Sequence, residues 1–282
     1  MTLAEPTECL FCGVTLTDET ATRAHVFPRW LQDRCGIANL ELDLANETPV
    51  RYAQLLAPAC RDCNNVHAGQ LEARVSDGTA SPQDMWLWML KIQMGTFYWE
   101  SGKPKSRDRR SSDNAQPIFP LDVIDITYFQ TLFTALRDGA TFDPTPSGTL
   151  LRFPDPQNAF DYADRLFSHP QARDNMYSAG LIAFDGHVWI ALFDDGRRVV
   201  DGFIDVSVME KQVAGGRDPR DFLPELIYTR SRILWDPKLM IGRAPNHTIT
   251  SLTALPTMGR PHIFDFDPAE LATFHPPPAS AS

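Results

Sequence analysis

Hydrophobic residues cover almost every side of the stretch 85–99, MWLWMLKIQMGTFYW, which indicates a helix buried on all faces. Ser81-Pro82 with Asp84 is a start signal for that helix, because serine caps a helix and proline is tolerated in its first turn. We expect the aromatic side chains to belong to a core and not to a base-stacking surface. They are Trp86, Trp88, Phe97, Tyr98 and Trp99.

Weaker patterns lie on either side of this helix. Residues 64–75, NNVHAGQLEARV, have helical spacing and begin with an asparagine, a natural N-cap. Residues 123–139 and 157–169 have the pattern of amphipathic helices, and 177–208 has that of a strand meander with two Asp-Gly turns. The chain is therefore predicted to be α+β.

Composition divides the chain into four predicted parts. The basic segment, residues 101–116, interrupts the hydrophobic pattern and is the expected linker. It separates an N-terminal module, residues 1–100, from a mixed α+β domain of unassigned role, residues 117–272. The last residues, 273–282, are rich in Pro, Ala and Ser and are predicted to be a disordered tail.

Composition also narrows the classes of function. The hydrophobic fraction of 43% and the charged fraction of 22% are ordinary for a globular protein. No apolar run is long enough to span a membrane, and the acidic N-terminus is not a signal peptide, so we expect a cytoplasmic protein. A net charge of −10 argues against a nucleic-acid binder that acts through its whole surface.

A local basic groove is still compatible with that charge. The candidate is the basic segment, where five cations stand against Asp108 in the run SGKPKSRDRR. The alternative is a solvated, mobile loop. The candidate nucleic-acid-binding residues there are Lys103, Lys105, Arg107, Arg109 and Arg110.

Four of the five cysteines form two C-x-x-C pairs, Cys9/Cys12 and Cys60/Cys63. Two such pairs complete the closed four-thiolate site of a structural zinc, and the 47 residues between them must form a folded insertion. The alternative is a redox pair, which normally follows a strand in a βαβ unit, and neither pair has that sequence context. A structural zinc adds folding energy and leaves any catalysis to other residues.

The elements CLFC, AHVFPRWL and CRDCNN resemble the HNH (ββα-metal) endonuclease family in its zinc-stapled bacterial form, over about residues 9–75. The resemblance implies a β-hairpin packed on a helix around one catalytic Mg²⁺ or Mn²⁺. It implies that His25 is the general base, since an imidazole titrates near the working pH. It also implies that Asn64, at the helix start, supplies or orients a metal ligand, and that Arg29 reaches a phosphate.

Two further positions bear on this hypothesis. His67 lies at i+3 from Asn64 and could face the same ion, or it is an exposed helix histidine. Ala24 stands where the family has an Asp or Glu metal ligand. Three explanations stay open: a degenerate site that keeps the zinc without activity, another carboxylate that substitutes, or a change introduced to inactivate a toxic nuclease. The candidate substitutes are Asp18, Glu19 and Glu72, the last of which is otherwise expected to face solvent.

The resemblance thus implies a metal-dependent endonuclease that hydrolyses DNA, or RNA, in bacterial defence against phage or in a mobile element. Its expected partners are the nucleic acid, a second copy of the chain or another defence protein. The alternative is a catalytically inactive zinc module that binds nucleic acid or protein, with helix 85–99 used for assembly. In that case His25 would be a structural hydrogen-bond donor.

Overall fold

The computed structural model of the protein describes most of the chain. It divides into two compact units, residues 1–142 with 241–252 and residues 143–240 with 253–282. The sequence places the division earlier, at the basic segment. The described residues are 8–108, 110–112, 116–118, 126–137, 148–169, 172–193, 199, 203–231, 238–243 and 249–255.

Helices alternate with two short antiparallel ladders in the N-terminal unit, in agreement with the predicted α+β class. In chain order its elements are β1 (Ala21–His25), α1 (Arg29–Cys35), β2 (Glu41–Asp43), β3 (Pro49–Arg51), β4 (Leu56–Cys60), α2 (Gly69–Ser76), α3 (Pro82–Ser101) and α4 (Ile126–Arg137). A 3-10 turn, Tyr52–Gln54, precedes β4, and a π-helical turn, Cys63–Ala68, leads into α2. β1 pairs with β4, and β2 pairs with β3.

β1, β4 and the following helix form a ββα unit. The ladder runs in antiparallel register from Ala21 opposite Cys60 to His25 opposite Leu56. Residues 61 and 62 are already helical, with φ −68° and ψ −45° at Asp62. The predicted N-cap role of the asparagine at 64 is therefore wrong, because the backbone has entered helical geometry before that residue.

α3 confirms the predicted buried helix. Ser81 and Asp84 form a reciprocal capping box: the Ser81 hydroxyl accepts from the Asp84 N–H at 3.1 Å, and the Asp84 carboxylate accepts from the Ser81 N–H at 3.0 Å. Nearly every side of the helix is buried, as its uninterrupted apolar sequence requires. The fully buried aromatic side chains are Trp86, Trp88 and Phe97, while Tyr98 and Trp99 are half-buried.

α4 packs on the loop between the first two cysteines. The Phe11 ring lies 4.9 Å from the Phe133 ring and 5.8 Å from the Phe129 ring, between centroids. All three rings are at most 1% exposed. The helix lies within the stretch 123–139 that was predicted to be amphipathic, and it extends the core of the N-terminal unit beyond residue 100.

The second unit is an antiparallel four-stranded sheet with two helices on one face. Its strands are β5 (Thr149–Pro154), β6 (Asp161–His169), β7 (Ala172–Phe184) and β8 (His187–Leu192), and its helices are α5 (Val206–Ala214) and α6 (Phe222–Ser231). The strand order is β5-β8-β7-β6. The core lies between alternate residues of the strands and the two helices; its members include Phe153, Leu181, Ile190, Met209, Phe222 and Leu226.

Two sequence predictions fail in this unit. Residues 157–169 were expected to be helical, but 161–169 form β6, because pairing along nearly the whole of β7 overrides the ambiguous local pattern. The structure confirms the predicted meander for β7, β8 and the turn between them, where Asp185 and Gly186 both have positive φ. It does not extend to 208, because the Asp205 carboxylate accepts from the Ser207 N–H at 2.9 Å and starts α5.

Two strands complete the described chain, β9 (Lys238–Arg243) and β10 (Ile249–Leu255), which pair with each other. None of the described helices combines the length and apolar character needed to cross a membrane. The predicted tail, residues 273–282, and the second predicted Asp-Gly turn, residues 195–196, lie outside the described residues.

Candidate functional site

Four cysteines from two distant turns form a cluster at one end of the β1–β4 ladder. The sulfur atoms of Cys9, Cys12, Cys60 and Cys63 all lie within 4.8 Å of one another, and the Sγ atoms of Cys12 and Cys60 are 3.9 Å apart. None of the four forms a disulfide. This cysteine cluster can hold a metal ion, so the metal-ligand assignment of the two C-x-x-C pairs is confirmed to that extent.

A tight backbone turn shapes the first pair. The Gly13 N–H donates to the Cys9 carbonyl at 2.8 Å, and the Cys9 N–H donates to the Val14 carbonyl at 2.9 Å. Gly13 has φ +70°, a left-handed conformation that a residue with a Cβ adopts only with strain. The glycine directly after Cys12 therefore allows the chain to fold back so that both sulfurs point the same way.

The second pair lies at the junction of β4 and the helix. Cys60 is the last residue of the strand, and Cys63 opens the π-helical turn. The second pair therefore directly follows a strand. The ladder is antiparallel, however, so the βαβ context of a redox motif is absent here, and the nearby helix N-terminus favours thiolates electrostatically.

The pKa values of the cluster thiols differ because the thiols are buried and hydrogen-bond to one another. Burial is the main cause that raises the pKa of Cys12 to about 11. A hydrogen bond with Cys63 lowers the pKa of Cys9 to about 5, and the same bond is the main cause that raises the pKa of Cys63. Four adjacent thiolates repel one another, so full ionisation requires a cation, and metal binding would release protons.

His25 lies at the opposite end of the ladder and is half-buried. Its Nε2 accepts a hydrogen bond from Arg29 Nε at 3.0 Å, so the proton of the neutral imidazole lies on Nδ1. Within the described part of the chain, the buried Nδ1 has no hydrogen-bond partner. Burial, followed by the positive charges of Arg29 and Lys91, lowers the pKa of His25 against the opposing effect of Glu72.

The other predicted active-site residues occupy neighbouring elements. Asn64 is half-buried, and its Nδ2 donates to Thr22 Oγ1 at 3.3 Å and to the Arg23 carbonyl at 3.4 Å, which ties the first helical turn to β1. Arg29 is exposed at the start of α1. His67 is half-buried in the π-helical turn, and among the described residues the structure does not bring it together with two other His, Cys, Asp or Glu ligand groups.

Ala24 is buried, with 2% of its surface exposed, and pairs with Ala57 across the ladder. Two of the carboxylates considered as replacements for the missing ligand at position 24 lie far from His25. Asp18 and Glu19 are exposed in the turn before β1, at the end of the strand where Ala21 pairs with Cys60. From Ala21 to Ala24 an extended chain covers about 10 Å, which separates those carboxylates from the end that bears His25.

Glu72 does not face solvent as expected, because its carboxylate forms an ion pair with a buried lysine. Lys91 Nζ lies 2.7 Å from Glu72 Oε1, and the Glu72 side chain is 22% exposed. The same Nζ donates to the carbonyls of His25, at 2.7 Å, and Val26, at 3.2 Å. The three N–H groups of the Lys91 ammonium therefore have three acceptors, and one of these is the backbone carbonyl of His25, the predicted base.

The basic segment is held against the β2–β3 turn. Arg107 Nη1 donates to the Glu47 carbonyl at 2.8 Å, and Asn46 Nδ2 donates to the Pro104 carbonyl at 2.7 Å. Lys103 Nζ lies 5.1 Å from the centre of the Trp99 ring. Arg109 lies outside the described residues. The exposed cations of the segment are Lys105, Arg107 and Arg110.

Sequence reasoning missed Lys91 as a neighbour of His25. Lys91 is the one charged residue between Asp84 and Glu100 in an otherwise apolar helix, and it is 2% exposed. A lysine that is buried needs acceptors or a counter-charge, so its isolation in the sequence was a usable signal. The identity of those acceptors depends on tertiary packing.

Comparison of the chain with family models, with curated proteins and with solved structures finds no match.

Proposed function

We propose that the N-terminal unit is the catalytic module of a metal-dependent, HNH-type endonuclease that hydrolyses DNA phosphodiester bonds, with His25 as the general base. One observation carries the proposal. A ββα unit with a four-cysteine cluster at one end of its ladder has at the other end a half-buried imidazole whose Nε2 accepts a hydrogen bond from the exposed Arg29 side chain. That pair combines the proton acceptor and the phosphate-binding cation that the proposed hydrolysis needs.

Zinc is the metal that best fits the cysteine cluster. Tetrahedral zinc with Zn–S bonds of about 2.3 Å requires sulfurs about 3.8 Å apart, and Cys12 and Cys60 already lie 3.9 Å apart. A closed four-thiolate shell leaves no position for substrate. The proposed zinc therefore stabilises the fold, and the chemistry belongs to the opposite end of the ladder.

Arg29 couples base activation to phosphate binding in this proposal. In the structure its Nε–H occupies the lone pair of His25 Nε2, so that nitrogen cannot take a proton from water. A phosphodiester near the exposed guanidinium offers a stronger, charge-assisted acceptor. Transfer of Arg29 from His25 to the phosphate would free Nε2 at the moment when the substrate is present.

Among the described residues, those around His25 do not complete a site for the catalytic Mg²⁺ or Mn²⁺. Ala24 offers a buried methyl group where the resemblance expects a carboxylate. Asn64 contributes at most an amide oxygen, because its nitrogen already donates to β1. We therefore expect that hydrolysis requires an acidic side chain at position 24.

A nuclease assay on zinc-loaded protein with Mg²⁺ or Mn²⁺ tests this proposal. The parent chain should leave DNA intact, Ala24→Glu or Ala24→Asp should cut it, and adding His25→Ala should abolish the cutting. Ala24→Gln is the matched control, since it adds similar bulk without charge. The divalent ion should also raise the melting temperature of Ala24→Glu and leave that of Ala24→Gln unchanged, because only a carboxylate completes the site.

The proposal fails if no acidic variant cuts DNA or RNA with either ion, or if cutting survives the loss of His25. Absence of zinc from the purified protein would remove the structural basis of the module. The setting implied by the resemblance, defence against phage or a mobile element, stays a prediction.

A catalytically inactive zinc module that binds nucleic acid is the second candidate. The observation in its favour is the described part of the basic segment, which contacts the β2–β3 turn through Arg107 and leaves the cations Lys105, Arg107 and Arg110 exposed. This function predicts salt-dependent DNA binding by the parent chain. Lys105→Glu should weaken that binding, whereas Lys211→Glu, an equally exposed lysine of the second unit, should not. Binding unaffected by Lys105→Glu would contradict it.

A further inference from the structure

We propose that Lys91 is a positioning residue for His25. Together with Gly95 and Trp99 it forms one face of α3, here called the clamp face, which holds the end of the β1–β4 ladder. The inference rests on the proposed function, since it assigns a role to residues that support the proposed base.

Lys91 is the centre of the clamp face. Its ammonium has three protons, and the structure provides three acceptors: the carbonyls of His25 and Val26 and the carboxylate of Glu72. The side chain is 1% exposed, so these contacts are shielded from water. Two consecutive carbonyls are held by one cation, so the backbone at His25 cannot turn without breaking both contacts.

The same face contacts the ladder at two further points, spaced one helical turn apart. A Cβ added at Gly95 would lie 2.7 Å from Cγ2 of Val26, the residue directly after β1, so only a glycine allows α3 to approach this end of the strand so closely. Trp99 Nε1 donates to the Leu56 carbonyl at 2.7 Å. Leu56 is the residue paired with His25, so α3 holds both strands at the last pair of the ladder.

Packing alone does not explain a lysine at this position. Burial of an ammonium is costly, and apolar residues of similar volume often replace buried ion pairs at no loss of stability. A methionine would fill the space between α3 and the strands, but it would not donate to the two carbonyls. What the lysine adds, beside the Val26 N–H to Leu55 carbonyl bond that continues the strand pairing, is a donor that fixes the His25 backbone and so the direction of its side chain.

Lys91→Met in the zinc-loaded full chain tests the assignment. Met85→Ala serves as the control, because Met85 is buried in the first turns of the same helix and lies more than one turn from Lys91. One measurement is the NMR signal of the His25 ring, which reports ring environment without requiring activity. The other is kcat and KM in the Ala24→Glu background.

Lys91→Met should shift or broaden the His25 ring signal and lower kcat about 100-fold, with KM changed less than twofold, because a small displacement of a catalytic group mainly affects the chemical step. Met85→Ala should lower the melting temperature and leave the ring signal in place. If Lys91→Met does not fold, Glu72→Gln replaces it. That variant keeps the ammonium, removes its counter-charge and should shift the same ring signal.

An unmoved His25 signal in the variant that folds would overturn the inference, as would effects equal to those of Met85→Ala. Failure of the proposed function gives a different result. In that case no Ala24→Glu background cuts nucleic acid, yet Lys91→Met still moves the ring signal.

Discussion

The two ends of the β1–β4 ladder are built in opposite ways. At one end the cysteine cluster depends on two tight turns that bring four sulfurs within 4.8 Å of one another. At the other end His25 depends on side chains from three helices, namely Arg29 of α1, Glu72 of α2 and Lys91 of α3. Loss of any ligand should disable the first site as a unit, whereas loss of single contacts should degrade the second in steps.

The largest effect is expected from breaking the cysteine cluster. Cys63→Ser should prevent stoichiometric zinc binding and unfold the N-terminal unit, because structural zinc supplies on the order of 10 kcal/mol of folding energy in small domains. Elemental analysis and thermal denaturation measure both consequences.

Cys35→Ser is the control for this prediction, since Cys35 lies in α1 outside the cluster. It should keep one zinc per chain and an almost unchanged melting temperature. If Cys63→Ser retains zinc and stability like Cys35→Ser, the cluster is not a metal centre.

A smaller effect is expected from pushing α3 away from the His25 end. Gly95→Ala places a methyl group 2.7 Å from Val26 Cγ2 and should lower the free energy of unfolding by about 1–3 kcal/mol through overpacking. This loss opposes the roughly 1 kcal/mol by which alanine favours a helix over glycine. Denaturant titration measures the balance.

Gly69→Ala is a matched control, because a Cβ at that helical glycine would meet nothing closer than 3.8 Å. It should be neutral or stabilising. Equal stabilisation by both substitutions would show that α3 does not pack against Val26 as closely as described.

The smallest effect concerns proton binding by His25. Its pKa is lowered, mainly by burial, so both the folded and the unfolded state are neutral well above pH 6.5. As the pH falls below 6.5, the unfolded state binds the proton first, and the free energy of unfolding decreases until the folded state is protonated as well.

His25→Asn should therefore flatten the pH dependence of stability below pH 6.5, while the difference between parent and variant should be constant above it. Loss of the proposed zinc in acid would affect both proteins and would cancel in the difference. Parallel curves over the whole range would contradict the assignment of a lowered pKa.

The same contrast explains what the sequence could predict. The cysteine cluster follows from two short spacings and a glycine, because a C-x-x-C turn is a local structure. α3 was predictable from its capping signal and uniform hydrophobicity. Glu72 was assigned to solvent because its partner is 19 residues away in another helix, and no local pattern indicates that contact. The β6 segment failed for a related reason, since its strand state depends on pairing with β7.

The five residue pairs between β1 and β4 fix the distance between the cysteine cluster and His25. Cys60 belongs to the first pair and His25 to the last, and successive residues of an extended strand are about 3.4 Å apart. Because strand side chains alternate, one residue inserted between Ala21 and His25 would increase the distance between His25 and the cysteine cluster. It would also turn the imidazole to the opposite face of the ladder. The length of the β2–β3 turn does not set the distance between these two sites. Length variation should therefore be tolerated in that turn and excluded from the ladder.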